Sequence, residues 1–122
     1  FNYLLTRYAI LSEEDIASAE ICPISPDETY GFQLENAIKV GGGLISGPLR
    51  ERAYLDNLLG ADGSVVTYER VGSLESPDSI VDEYTVTVGT QVYRLYLDEY
   101  SFGVINAPRG LGCMGAFPLA EP

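Results

Sequence analysis

The alternation of apolar and polar side chains is clearest from Ile80 to Tyr100, where two β-favouring runs meet at Gly89-Thr90. A glycine in the first central position suits a two-residue type II′ turn, because that position needs a positive φ. The turn in turn fixes the register. Val88 then opposes Gln91, Val86 opposes Tyr93, Tyr84 opposes Leu95, and Asp82 opposes Leu97. Tyr84, Val86, Val88, Tyr93, Leu95 and Leu97 share one face, the expected core face. The other face carries Glu83 against Tyr96, Thr85 against Arg94 and Thr87 against Val92.

Upstream, Pro48 at the first helical position and Gly60 at C′ bound a predicted helix over 47–60. Tyr54, Leu55, Leu58 and Leu59 form its apolar stripe, with Pro48 and the stem of Arg52 beside it. Arg50, Asp56 and Asn57 fall elsewhere on the surface. After a turn at Gly60–Gly63, the run Ser64–Val71 predicts a strand with Val66 and Tyr68 on one side, and Gly72–Asp78 reads as a loop. The pattern predicts an α+β fold: an antiparallel meander of at least three strands with one main helix packed on one face.

The flanks are less regular. Ala37–Val40 suggests a short strand. Gly41-Gly42-Gly43 reads as a flexible connector, since neither the Lys-Ser/Thr pair nor the G-x-G-x-x-G spacing of a phosphate loop follows. Ser12-Glu13-Glu14-Asp15 resembles the N-cap and acidic first turn of a second, short N-terminal helix, which Pro23 and Pro26 would terminate. Phe1–Leu11 fits a buried strand or a helix start, and periodicity does not decide. Residues 102–122 are rich in glycine and proline and read as a C-terminal tail packed on the domain, held at Cys113 and by Phe117.

Composition narrows the function classes. A chain of 122 residues, 46% hydrophobic and 20% charged, is that of one globular domain over 1–122. No apolar run reaches the roughly 20 residues that span a bilayer. The net charge is −11 and Lys39 is the only lysine. Such a surface repels phosphate backbones and anionic lipid heads, so no nucleic-acid partner is expected. It suits a basic protein partner or a divalent cation. Phe1 is not an initiator methionine, which fits a processed mature chain or an excised domain, any signal peptide or lipid attachment site having been removed. Cys22 and Cys113 are the only cysteines. Their even count suggests a disulfide in an oxidising compartment, and two unpaired thiols are the alternative.

Several pieces together carry a resemblance. They are Tyr30-Gly-Phe, Glu35-Asn36, Ile38-Lys39-Val40-Gly41, Gly47-Pro48, Glu51-Arg52, Tyr54-Leu55, Tyr68, Arg70, Gly72-Ser73, Asp82, Tyr84, Leu95-Tyr96-Leu97-Asp98, Tyr100 and Ala107-Pro108-Arg109-Gly110. The pattern over about residues 30–110 resembles a family of small uncharacterised bacterial exported or lipoprotein-like proteins. Many members carry a Cys-Cys pair just after the Gly-Ser, where this chain has Leu74-Glu75, so no role of that pair transfers. The resemblance implies bacterial export, to the periplasm, the outer membrane or the cell exterior, and transfers no catalytic residue.

Among candidate chemistries, acidic clusters lead. In the hairpin register Asp98 lies diagonal to Glu83 on one face and Glu99 diagonal to Asp82 on the other. Neighbouring like charges cost stability unless they are solvated or bridged by a cation. Hard oxygen donors suit Ca²⁺, although no 12-residue EF-hand spacing is present. The plainer expectation is a solvated strand end with Arg94 partly neutralising Glu83. Catalysis has little to build on. Histidine is absent, so no Ser-His or Cys-His pair can form, and an acid-pair hydrolase using Asp82, Glu83, Asp98 and Glu99 is an outlying reading. Nine tyrosines supply amphipathic contact area, and Val92, Arg94 and Tyr96 on the outer hairpin face form a candidate protein-binding patch, unless a second layer such as Phe1–Leu11 covers it. The leading expectation is a non-enzymatic exported domain that binds protein within an envelope or surface assembly. The alternative is a small acidic inhibitor or immunity-type protein that neutralises a basic partner.

Overall fold

The hairpin forms in the register that its turn predicts: Val88 pairs with Gln91, Val86 with Tyr93, Tyr84 with Leu95 and Asp82 with Leu97. Gly89 takes φ 60 at the bend. This computed structural model describes residues 22–115 and 117–122. The predicted N-terminal helix and the Phe1–Leu11 segment lie outside the described residues.

In chain order, a single 3-10 turn (Leu34–Asn36) leads into β1 (Ile38–Lys39), α1 (Gly43–Asn57) and β2 (Leu58–Gly60), then β3 (Thr67–Glu75), β4 (Ile80–Val88), β5 (Gln91–Asp98) and β6 (Leu111–Cys113). Four strands form a sheet in the order β1-β5-β4-β3, and β2 pairs with β6. The meander β3-β4-β5 is antiparallel, but β1 joins β5 in parallel, with Ile38 beside Leu97, so the sheet is mixed. Tyr84, Val86, Leu95 and Leu97 enter the core with Tyr54, Leu55 and Leu58 from the helix and its exit. Val88 and Tyr93 pack at its margin.

Three boundaries differ from the sequence pattern. First, α1 begins at Gly43, and Pro48 lies inside it rather than at its start. The glycine triplet is the helix entry: Gly42 is the N-cap at φ 99, a conformation that a side chain would resist. Pro48 leaves the Leu44 carbonyl without its helical donor, at a residue that is 81% exposed. Second, Gly60 does not cap the helix. Leu58 is already extended, because Leu58–Gly60 finds a ladder partner in Leu111–Cys113. Third, β3 runs on to Glu75 through a bulge between Arg70 and Gly72, so the expected loop at 72–78 is largely strand. The bulge adds one residue and breaks the alternation that would have extended the strand on paper.

The tail is fastened at several points. Cys22 and Cys113 form a disulfide with Cα atoms 5.5 Å apart. Ala107 bridges to Ile24, Phe102 bridges to Val40, and Phe117 stacks on Tyr54 with ring centroids 4.4 Å apart. Arg50 and Asn57, placed on the surface by the sequence pattern, are both buried. Arg50 is drawn inward by carbonyls that lie far away in the chain: its Nε donates to Val40 O at 2.7 Å and a terminal nitrogen donates to Ala120 O at 2.6 Å. Its guanidinium also lies over the Phe102 ring.

Candidate functional site

Three acids from separate parts of the chain converge between α1 and the β4–β5 hairpin. Glu51 comes from the inner face of the helix, Asp82 from β4, and Glu99 from the residue after β5. One carboxylate oxygen from each lies within 4.8 Å of the other two, and all three residues are buried. They line a pocket of about 340 Å³ with Pro48, Arg52, Arg70, Ser73, Tyr84 and Tyr100 also on its wall.

Local geometry explains each placement. Asp82 shares the core face of the hairpin with Tyr84 and Val86, at the end nearest the helix. Its Oδ1 accepts from Ser73 Oγ at 2.7 Å and from Arg70 at 3.0 Å, both supplied by β3 beyond the bulge and just before it. Glu51 Oε1 accepts from the Tyr84 hydroxyl at 2.8 Å, across the helix–sheet seam. Glu99 packs against Gly47, where an added Cβ would meet Glu99 Oε2 at 2.5 Å; only glycine lets the acid pass this close to the helix. The Glu99 carbonyl accepts from Gly43 N–H at 2.7 Å and anchors the helix start.

The electrostatics follow from burial and crowding. Burial pushes the Glu51 carboxyl up to about 9, helped by its hydrogen bond to Asp82 and by the charges of Asp82 and Glu99. Asp82 is opposed by burial too, but hydrogen bonds from Glu51, Ser73 and Arg70 outweigh it and hold this carboxyl below its ordinary value. Burial, then the Asp82 charge, raises Glu99. Tyr84 is also raised, first by burial and then by the Glu51 charge, so its hydroxyl stays a donor. Among the described residues, Glu51 Oε2 and Glu99 Oε2 are buried oxygens without a hydrogen-bond donor.

The four acids named from the sequence thus separate. Asp82 and Glu99 meet. Glu83 and Asp98 are occupied elsewhere, and the expected solvated strand end is instead buried at all four positions. Glu83 pairs with Arg94 at 2.7 Å, as anticipated. Asp98 Oδ1 accepts from Ser79 Oγ and from the backbone N–H groups of Tyr100 and Ser101, closing the turn after β5. Glu51 is the residue that the hairpin register does not reveal. A signal for it existed: it lies three and four positions before Tyr54 and Leu55, on the stripe that faces the core.

The outer patch is only partly as expected. Val92 and Arg94 are exposed, Tyr96 is half-buried, and Arg94 is held by Glu83. A different apolar surface stands on the helix. Leu44 and Ile45 are 81% and 76% exposed and Leu49 is exposed beside them, while Ser46, Arg50 and Glu51 of the same turns face inward. Pro48 lies on this outer face and also on the pocket wall, so the two features adjoin. No protein family, curated protein or solved structure matches the chain.

Proposed function

We propose that this chain is a non-enzymatic exported bacterial domain that binds a protein partner, as a subunit or accessory component of an envelope or surface assembly. The observation that carries the reading is the first half of α1, where Leu44, Ile45 and Leu49 turn to water while Arg50 and Glu51 turn inward. A surface helix ordinarily buries its apolar stripe. Covering these side chains would release roughly 25 cal/mol per Å² of apolar surface, which favours a partner with an apolar centre. The charge of −11 favours basic residues around that centre. The Cys22–Cys113 bridge supports an oxidising compartment, and no helix among the described residues is long and apolar enough to cross a membrane. Both cysteines are joined and histidine is absent, which leaves no Cys-His or Ser-His nucleophile.

A photo-crosslinking residue at Leu44, compared with one at Val92, tests the reading in envelope extracts. The expected result is a discrete adduct from position 44 that Ile45→Asp abolishes and Thr87→Asp leaves intact, with melting temperature unchanged in both variants. Adducts from position 92 alone would overturn it. A complex that forms through position 44 but dissolves at high salt would favour the second reading, an acidic inhibitor or immunity-type protein held by charge.

A further inference from the structure

We infer that Glu51, Asp82 and Glu99 form a binding site for a divalent cation, Ca²⁺ by the character of the donors. Glu51, 1% exposed, and Glu99, 7% exposed, line the same pocket and are met by the Tyr84 and Tyr100 hydroxyls, yet each keeps one buried oxygen, Oε2, that has no donor. Buried carboxylate oxygens without donors are costly and are ordinarily bonded. A proton shared between Glu51 and Asp82 supplies one donor and leaves Glu99 Oε2 without one.

A cation resolves both. Three ionised carboxylates less the Arg70 guanidinium, which is paired with Asp82, leave two negative charges, which match a divalent ion. Ca²⁺ binds oxygen at about 2.3–2.6 Å, so two oxygens on one ion lie no more than about 5 Å apart. The three oxygens here, within 4.8 Å of each other, satisfy that limit as they stand. Mg²⁺, which demands near-octahedral bonds of about 2.1 Å and dehydrates reluctantly, is less suited to a cage of three fixed carboxylates. The pocket of about 340 Å³ leaves room for the waters that complete a Ca²⁺ sphere. Imidazole and thiolate donors are absent from the set, which disfavours zinc and copper.

The test uses the whole oxidised chain after treatment with a chelating resin. Titration with CaCl₂ is expected to raise the melting temperature by several degrees, with a dissociation constant on the order of 0.1–1 mM, as in extracellular modules. Tb³⁺ should show emission excited through tyrosine, since Tyr84 and Tyr100 line the pocket, and CaCl₂ should quench it. Glu51→Gln and Glu99→Gln should each weaken Ca²⁺ binding about tenfold or more, whereas Glu83→Gln should retain it. Absence of sensitised Tb³⁺ emission in the wild-type chain, which needs no variant to fold, would overturn the site. So would a Ca²⁺ response that survives Glu51→Gln in a folded protein. Neither readout involves the protein partner or Leu44.

Discussion

The Arg50 guanidinium donates to the Ala120 carbonyl at 2.6 Å, so the end of the tail is pinned to the middle of the helix. The same side chain holds Val40 O at the exit of β1. A buried cation thereby joins three segments that no apolar side chain of that length would join.

Replacing Arg50 by Ala should therefore destabilise the protein by about 2–4 kcal/mol, through lost charged hydrogen bonds and carbonyls left without this donor. Limited proteolysis should also cut within 114–122 sooner than in the wild type. Urea unfolding midpoints within error of the wild type would refute the account.

Register can be checked on adjacent residues. Val86 is fully buried and Thr85 lies on the outer face, half-buried. Val86→Asp should unfold the domain, whereas Thr85→Asp should cost no more than about 1 kcal/mol. Equal melting temperatures would mean the two faces are interchanged.

The pocket predicts an unusual pH dependence for the metal-free protein. Glu51 titrates near 9 when folded against an ordinary 4.5. Between those values the unfolded chain has released this proton while the folded chain keeps it, so stability falls as pH rises through that window. Glu99, raised as well, acts in the same direction. Asp82 acts oppositely: its depressed pKa gives stability that is present above 3.8 and lost as pH falls through the folded value. The chelated protein should accordingly melt lower at about pH 8.5 than at about pH 5.5. Glu51→Gln should flatten that slope, and a wild-type slope in this variant would contradict the assignment.

The bridge closes a loop with a sequence separation of 91. Reduction should lower stability by up to about 4–5 kcal/mol in the chain-entropy account, measured by urea titration with and without reductant. Thiol titration of denatured, unreduced protein should find none; two reactive thiols would disprove the pairing.

What could be seen beforehand was local. Gly89 and the alternation around it are enough for the β4–β5 register, because turn chemistry and side-chain period act within a few residues. The helix face was not visible this way. Arg50 and Glu51 point inward because Val40, Ala120, Tyr84 and Asp82 await them, and Tyr84 lies 33 positions from Glu51. Pro48 does not mark the helix start because the helix is entered five residues earlier, at Gly43 behind the Gly42 N-cap, and tolerates the proline on its exposed face. Asp82 and Glu99 were paired correctly by register, but Glu83 and Asp98 found partners, Arg94 and Ser79, that satisfy them singly.

The position of the sulfur bridge has a mechanical consequence. Cys113 lies in β6, beside β2, and is joined there to Cys22, so a force transmitted along the backbone from 22 to 113 enters at one sulfur and leaves by the other. The backbone of the helix, the hairpin and the acid pocket lies off that covalent path, and load reaches α1 through contacts such as those of Ala120 with Arg50 and of Phe117 with Tyr54. A domain wired in this way resists being drawn out between residues 22 and 113 for as long as the sulfurs stay joined.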